Sequence, residues 1–127
     1  MTQPDTSRKL RLGAFIMATG HHVAAWRHPG SQVDSGVNID HYIEVAKTAE
    51  RGLFDQVFVA DSPGVWHKGD RESFSRQGRI SHFEPVTLWA ALSVVTKHIG
   101  FVATASTTYE DPYPVSYTHL TLPTICS

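Results

Sequence analysis

The sequence predicts an α/β fold built on parallel strands, and two observations carry that reading. First, apolar runs at Leu10–Met17, Gln56–Ala60 and Ile99–Ala105 alternate with two segments of helical period, Ile39–Arg51 and Phe83–His98. Strand, helix, strand, helix, strand implies parallel neighbours joined by right-handed crossovers. Second, Ala49–Ser62 reads as one complete unit: a last helical turn, a glycine stop, a buried strand and a carboxylate, Asp61, at the strand's C-terminal end. Ile99 to Tyr109 looks like its next repetition. In parallel α/β proteins that end of the strands is where ligands are handled.

Each element has its own warrant. Met1 to Lys9 is polar and is expected to be a leader outside the fold. Leu10–Met17 begins with alternation and turns continuously apolar, as does a strand that enters from solvent and ends buried on both faces. Ala18–Asn38, rich in Gly, His and Ser, is a loop of about 20 residues, far beyond the usual ~4–6. Ile39, Tyr42, Ile43, Ala46, Ala49 and Leu53 then recur at steps of three or four and form one apolar stripe. Asn38 or Asp40 can cap this helix, and Gly52 fits the left-handed position that ends it. Ser62–His82, with three glycines, one proline and scattered charge, is a second long loop. Pro85 stands at the first turn of the second helix, whose inward stripe is Leu88, Trp89, Leu92 and Val95 and whose last turn is closed by Lys97 and His98. Ile99–Ala105 is the third strand and runs into Ser106-Thr107-Thr108.

Val115–Ser127 has no helical stripe and no caps where the alternation calls for a helix. From Val115 to Thr124 it resembles one reading frame of a transposase sequencing adapter. Residues 115–127, with His119 and Cys126, are therefore expected to be a non-native tail produced by adapter read-through, a natural tail being the alternative.

The totals narrow the function classes. At 127 residues the chain has room for one domain. A formal net charge of −1 gives no basic field for nucleic acid or an anionic membrane. No apolar run approaches the ~20 residues of a membrane helix, and no signal peptide is evident, so a cytoplasmic protein is the default. The single cysteine, Cys126, excludes an internal disulfide framework. The glycines form no G-x-G-x-x-G after a strand, and there is no Walker lysine or G-x-S-x-G elbow.

His21 and His22 are adjacent, and adjacent side chains diverge on helix and strand alike, so one metal ion rarely takes both. A contact to a ligand, or a hydrogen bond within the loop, suits either better. Asp61 and the Ser106-Thr107-Thr108 run follow the C-terminal ends of nearby parallel strands and can face one pocket as acceptor and donors. The same residue types also hold loops and cap turns.

Three stretches carry a family resemblance: Gly20-His21-His22-Val23-Ala24-Ala25-Trp26-Arg27-His28-Pro29, Ala46–Asp61, and Ile99–Tyr109. Together they resemble the N-terminal part of the bacterial-luciferase-like flavin monooxygenases, in the branch of nitrilotriacetate monooxygenase component A and dibenzothiophene-sulfone monooxygenase. The resemblance spans residues 10–114. It implies the N-terminal portion of a (β/α)8 TIM barrel, truncated, with about three strands and two helices against the eight of a closed barrel. It also implies FMN, bound non-covalently and supplied reduced by a separate NAD(P)H-dependent flavin reductase. With dioxygen the enzyme would oxygenate a small organic substrate, and the parent protein would be a homo-oligomer. Asp61 and Thr107 match family positions that contact FMN; His21, His22 and Trp26 match a stretch assigned to the substrate side. A chain with three strands leaves edges and apolar faces bare, so it is expected to be insoluble or molten, and inactive, by itself. The other readings are a small non-catalytic α/β binding domain, a deazaflavin-dependent oxidoreductase, and a metal-dependent hydrolase barrel built on His21 and His22.

Overall fold

The computed structural model describes residues 9–22, 24–62, 72, 81–108 and 111. The expected leader (Lys9 apart), the expected tail, Tyr109 and most of the Ser62–His82 loop lie outside the described residues. Three strands, β1 (Gly13–Ile16), β2 (Gln56–Val59) and β3 (Gly100–Ala103), form a parallel sheet in sequence order. Two helices, α1 (Ile39–Arg51) and α2 (Pro85–Ser93), supply the crossovers. The expected architecture is present, with each strand shorter than its apolar run.

The register decides which side chains meet. Ala14, Val57 and Phe101 lie in one row, and Ile16, Val59 and Ala103 in the next. Both rows pack against Tyr42, Ala46 and Ala49 of α1 and Leu88, Trp89 and Leu92 of α2, together the core. Side chains alternate across a strand, so the intervening row, Phe15, Phe58 and Val102, faces away from the helices. Phe15 is 47% exposed and Val102 37%, while the Phe15 and Phe58 rings lie 5.0 Å apart. The sheet thus has one covered face and one bare apolar face.

Local chemistry sets the helix ends. Asn38 caps α1 by accepting from the N–H groups of Asp40 and His41 at 3.0 and 3.2 Å. Glu84 caps α2, accepting from Val86 and Thr87 at 2.8 Å each, with Pro85 at the first helical position. Burial of Glu84 raises its carboxyl, but the Thr87 and Val86 N–H bonds outweigh that and hold it below the usual value. Trp89 of α2 donates from Nε1 to the Val102 carbonyl at 2.8 Å, tying the helix to β3.

Two sequence expectations are corrected here. Gly52 has φ −76° and is not the left-handed residue; Leu53, at φ 60°, is. The Phe54 N–H reaches back to the Ala49 carbonyl and the Leu53 N–H to that of Glu50, the paired bonds of a Schellman end with Leu53 at its turning point. Leu53 therefore points away from the core and is 84% exposed, although the stripe counted it inward. In α2, Lys97 and His98 do not close a helical turn, because the helix stops at Ser93 and leaves Val95 outside the buried set. The cause sits on α1, where a single oxygen of Glu50 accepts from the backbone N–H groups of Lys97, His98 and Ile99 at 2.7, 2.6 and 3.2 Å. Those three donors turn toward the carboxylate instead of extending the helix.

One close approach joins the first loop to the start of α2. A Cβ placed on Gly36 would lie 2.1 Å from the Ser81 carbonyl oxygen, so only glycine fits. The Gly36 carbonyl accepts from the Phe83 N–H at 3.1 Å, and the Phe83 ring meets Tyr42 edge-on at 5.9 Å.

Candidate functional site

The two ends of the sheet differ in chemistry. At the N-terminal ends of the strands, polar groups are spent on structure. Asp55 takes the Arg11 guanidinium at 2.7 Å and the Leu12 N–H at 2.8 Å, and the Arg11 bond holds its carboxyl below the usual range. The carboxylate of Glu50 closes the turn before β3, and the His98 N–H is the largest influence holding it low. At the C-terminal ends lie the residues singled out for ligand contact: His21 and Trp26 after β1, Asp61 after β2, Thr107 after β3. In parallel α/β folds it is the C-terminal ends of the strands that face the ligand pocket.

Asp61 is half-buried and its Oδ1 accepts twice, from its neighbour Ser62 N–H at 2.7 Å and from His82 Nε2–H at 2.8 Å. An ionised carboxylate only accepts, so His82 carries its proton on Nε2. Oδ2 has no partner among the described residues. His82 was absent from the sequence-derived site. The one available signal was its place immediately before Phe83-Glu84-Pro85, where a returning loop re-enters the strand-end region.

After β3, Thr104 spends its hydroxyl on the Val59 carbonyl at 3.3 Å, bracing β3 against β2. Ser106 is half-buried, and Thr107 and Thr108 are exposed in the following turn. Asp61 and Thr107 thus follow neighbouring strands but share no hydrogen bond among those described.

The first loop separates the two histidines. His21 donates from Nε2 to the Phe15 carbonyl at 3.0 Å, and its ring meets the Phe15 ring edge-on at 4.8 Å. A carbonyl only accepts, so Nε2 carries a hydrogen, and Nδ1 has no hydrogen-bond partner among the described residues. His22 uses Nδ1 to accept from the Ala24 N–H at 3.1 Å. With different partners, the two imidazoles do not act as a chelating pair. Trp26 lies in a 3-10 turn, Ala25–Arg27, with the Arg27 guanidinium 5.0 Å from its ring centroid. An open cleft of about 380 Å³ runs along the end of β1, between Phe15–His21, Ser31–Gln32 and, on α1, His41 and Val45. Thr19 lines it with a buried hydroxyl that has no partner among the described residues. Of the sequence-derived residues only His21 borders this cleft; His22, Trp26, Asp61 and Thr107 do not.

A parallel βαβαβ sheet with helices covering one face, a bare apolar opposite face and polar side chains past the strand ends is the repeating pattern of a (β/α) barrel. The chain belongs to the luciferase-like monooxygenase family, whose members it matches over residues 15–125. It is 47% identical over 113 residues to N-acetyl-S-(2-succino)cysteine monooxygenase of Bacillus subtilis (strain 168), a match covering 87% of this chain and 24% of that protein. To nitrilotriacetate monooxygenase component A of Aminobacter aminovorans it is 37% identical over 116 residues, covering 87% of this chain and 26% of that one. The crystal structure of DmoA from Hyphomicrobium sulfonivorans superposes with a TM-score of 0.74 at 32% identity, covering 87% of this chain and 25% of that chain. The chain spans about a quarter of the length of these relatives. Among the described residues no helix is long and apolar enough to cross a membrane.

Proposed function

We propose that residues 10–114 are the N-terminal portion of an FMN-dependent monooxygenase that oxygenates a small organic substrate with dioxygen. The observation that carries this reading is the placement of Asp61 and the Ser106–Thr108 hydroxyls past adjacent strand ends in a luciferase-like chain. A flavin presents N–H and hydroxyl donors together with carbonyl and phosphate acceptors. Oδ2 of Asp61, which has no partner among the described residues, fits the donors, and the exposed hydroxyl of Thr107 fits the acceptors. Asp61 and Thr107 would hold FMN; reduced flavin supplies the electrons that activate dioxygen.

The chain's own residues do the positioning. Phe15 and Phe58 form an apolar surface beside the strand ends that would exclude water from reactive groups once the rest of a barrel covers it. His21 offers Nδ1 at the border of the β1 cleft, so a substrate polar group can meet it there, with His22 and Trp26 on the same loop. The designation of one relative as component A supports an assembly in which a separate NAD(P)H-dependent flavin reductase delivers the reduced cofactor. A homo-oligomeric parent accords with the same reading. The 127-residue chain alone lacks the rest of a barrel's pocket and is inactive on this view.

The experiment is a titration of FMN fluorescence with the complete polypeptide carrying this segment. Wild type is expected to quench the flavin, with Asp61→Ala and Thr107→Val each weakening binding about tenfold, the scale of one hydrogen bond to a charged or well-placed group. Absence of quenching by the wild-type protein would sink the reading.

A further inference from the structure

We propose that His82 is a positioning residue for Asp61, holding one carboxylate oxygen so that the other meets the flavin. The proposal rests on the flavin reading given above and assigns a role to a residue outside the family-matched site. Oδ1 of Asp61 receives both the Ser62 N–H and the His82 Nε2–H, and two donors occupy its two lone pairs. The pair of bonds fixes the carboxylate plane, since one donor comes from the adjacent peptide and the other from a side chain 21 residues away. Oδ2 accepts from none of the described residues and is the oxygen left for the flavin.

The histidine can hold Asp61 only if its own backbone is held. Three contacts do that. Ser81 is pressed against Gly36 at a spacing that admits no Cβ, the Phe83 N–H donates to the Gly36 carbonyl at 3.1 Å, and Glu84 caps α2. His82 therefore stands between two residues pinned to the first loop and one pinned to a helix. Neither residue of the pair is deeply buried, with side-chain exposures of 40% for His82 and 28% for Asp61. Such a pair contributes little to folding stability, which leaves orientation as the property it controls.

The test is a double-mutant cycle in the complete polypeptide, read as the FMN dissociation constant. His82→Ala is expected to weaken FMN about five- to tenfold, while His82→Gln, which keeps an N–H donor, stays within about twofold of wild type. Asp61→Ala combined with His82→Ala should bind no more weakly than Asp61→Ala alone, because the histidine acts only through the carboxylate. Additive losses, wild-type affinity in His82→Ala, or failure of His82→Gln to rescue each overturn the positioning role and leave the flavin reading standing. A wild-type protein that binds no FMN overturns both.

Discussion

Leu53 carries the clearest strain in the described backbone. A non-glycine residue in the left-handed region is disfavoured by about 1–2 kcal/mol, because its Cβ crowds the following carbonyl. Nothing offsets that through packing, since the side chain is almost wholly in water. Glycine at this position removes the clash but frees the unfolded chain, so Leu53→Gly should stabilise by a net of about 1 kcal/mol. A rise in the urea midpoint with unchanged slope checks it; a fall shows that the side chain packs on something. The residue scale is also where sequence reading slipped by one position. Arg51-Gly52 invites glycine as the helix stop, yet the bond from Phe54 to Ala49 sets the turning point one residue later. No propensity scale contains that bond, because it depends on Phe54 packing against the core.

Glu50 ties α1 to the turn between α2 and β3 through one oxygen, and this is the scale at which the end of α2 became illegible. The bounds of α1, Ile39 to Arg51, were legible in sequence, although its apolar stripe ran on to Leu53, because the signal and its cause lie on the same segment. The end of α2 is set by a carboxylate on a different helix, which periodicity cannot see. His82 was hidden in the same way, since its place depends on Gly36 receiving Ser81 and Phe83 from across the loop. That Asp61 and Thr107 follow strand ends was legible because the end of a strand is itself visible in sequence; their match to FMN-contacting positions rests on the family resemblance.

The Glu50 contact has a pH signature. Its carboxyl sits below the ordinary 4.5, held there chiefly by the His98 and Lys97 N–H groups, with help from Ile99, against the opposing effect of burial. A lowered folded value means the contact contributes fully above 4.5 and is lost as pH falls through the folded value. Intrinsic-rate-corrected hydrogen exchange at Lys97, His98 and Ile99 should therefore rise as pH drops below that point. In Glu50→Ala it should already be fast at pH 7. Equal protection in the variant would show that other bonds hold the turn.

For the whole molecule, the decisive feature is the sheet with one face covered and the other bare. In a closed barrel the row Phe15, Phe58 and Val102 would face the interior, and the free edges of β1 and β3 would each have a neighbour. Among the described residues β1 and β3 each lack a second strand partner and Phe15 and Val102 are exposed, and exposed strand edges beside apolar rows promote association. The isolated 127-residue chain should bind the dye ANS strongly, and Phe15→Thr should reduce that binding. A monomeric chain that leaves the dye dark would refute this.

The strand order has a consequence for biosynthesis. Each strand pairs with the one made before it, Gln56 on Gly13 and then Gly100 on Gln56, so no ladder waits for sequence not yet translated. The chain emerges amino end first. Each ladder among the described residues can therefore form as soon as its second strand has been made, without contacts from later sequence.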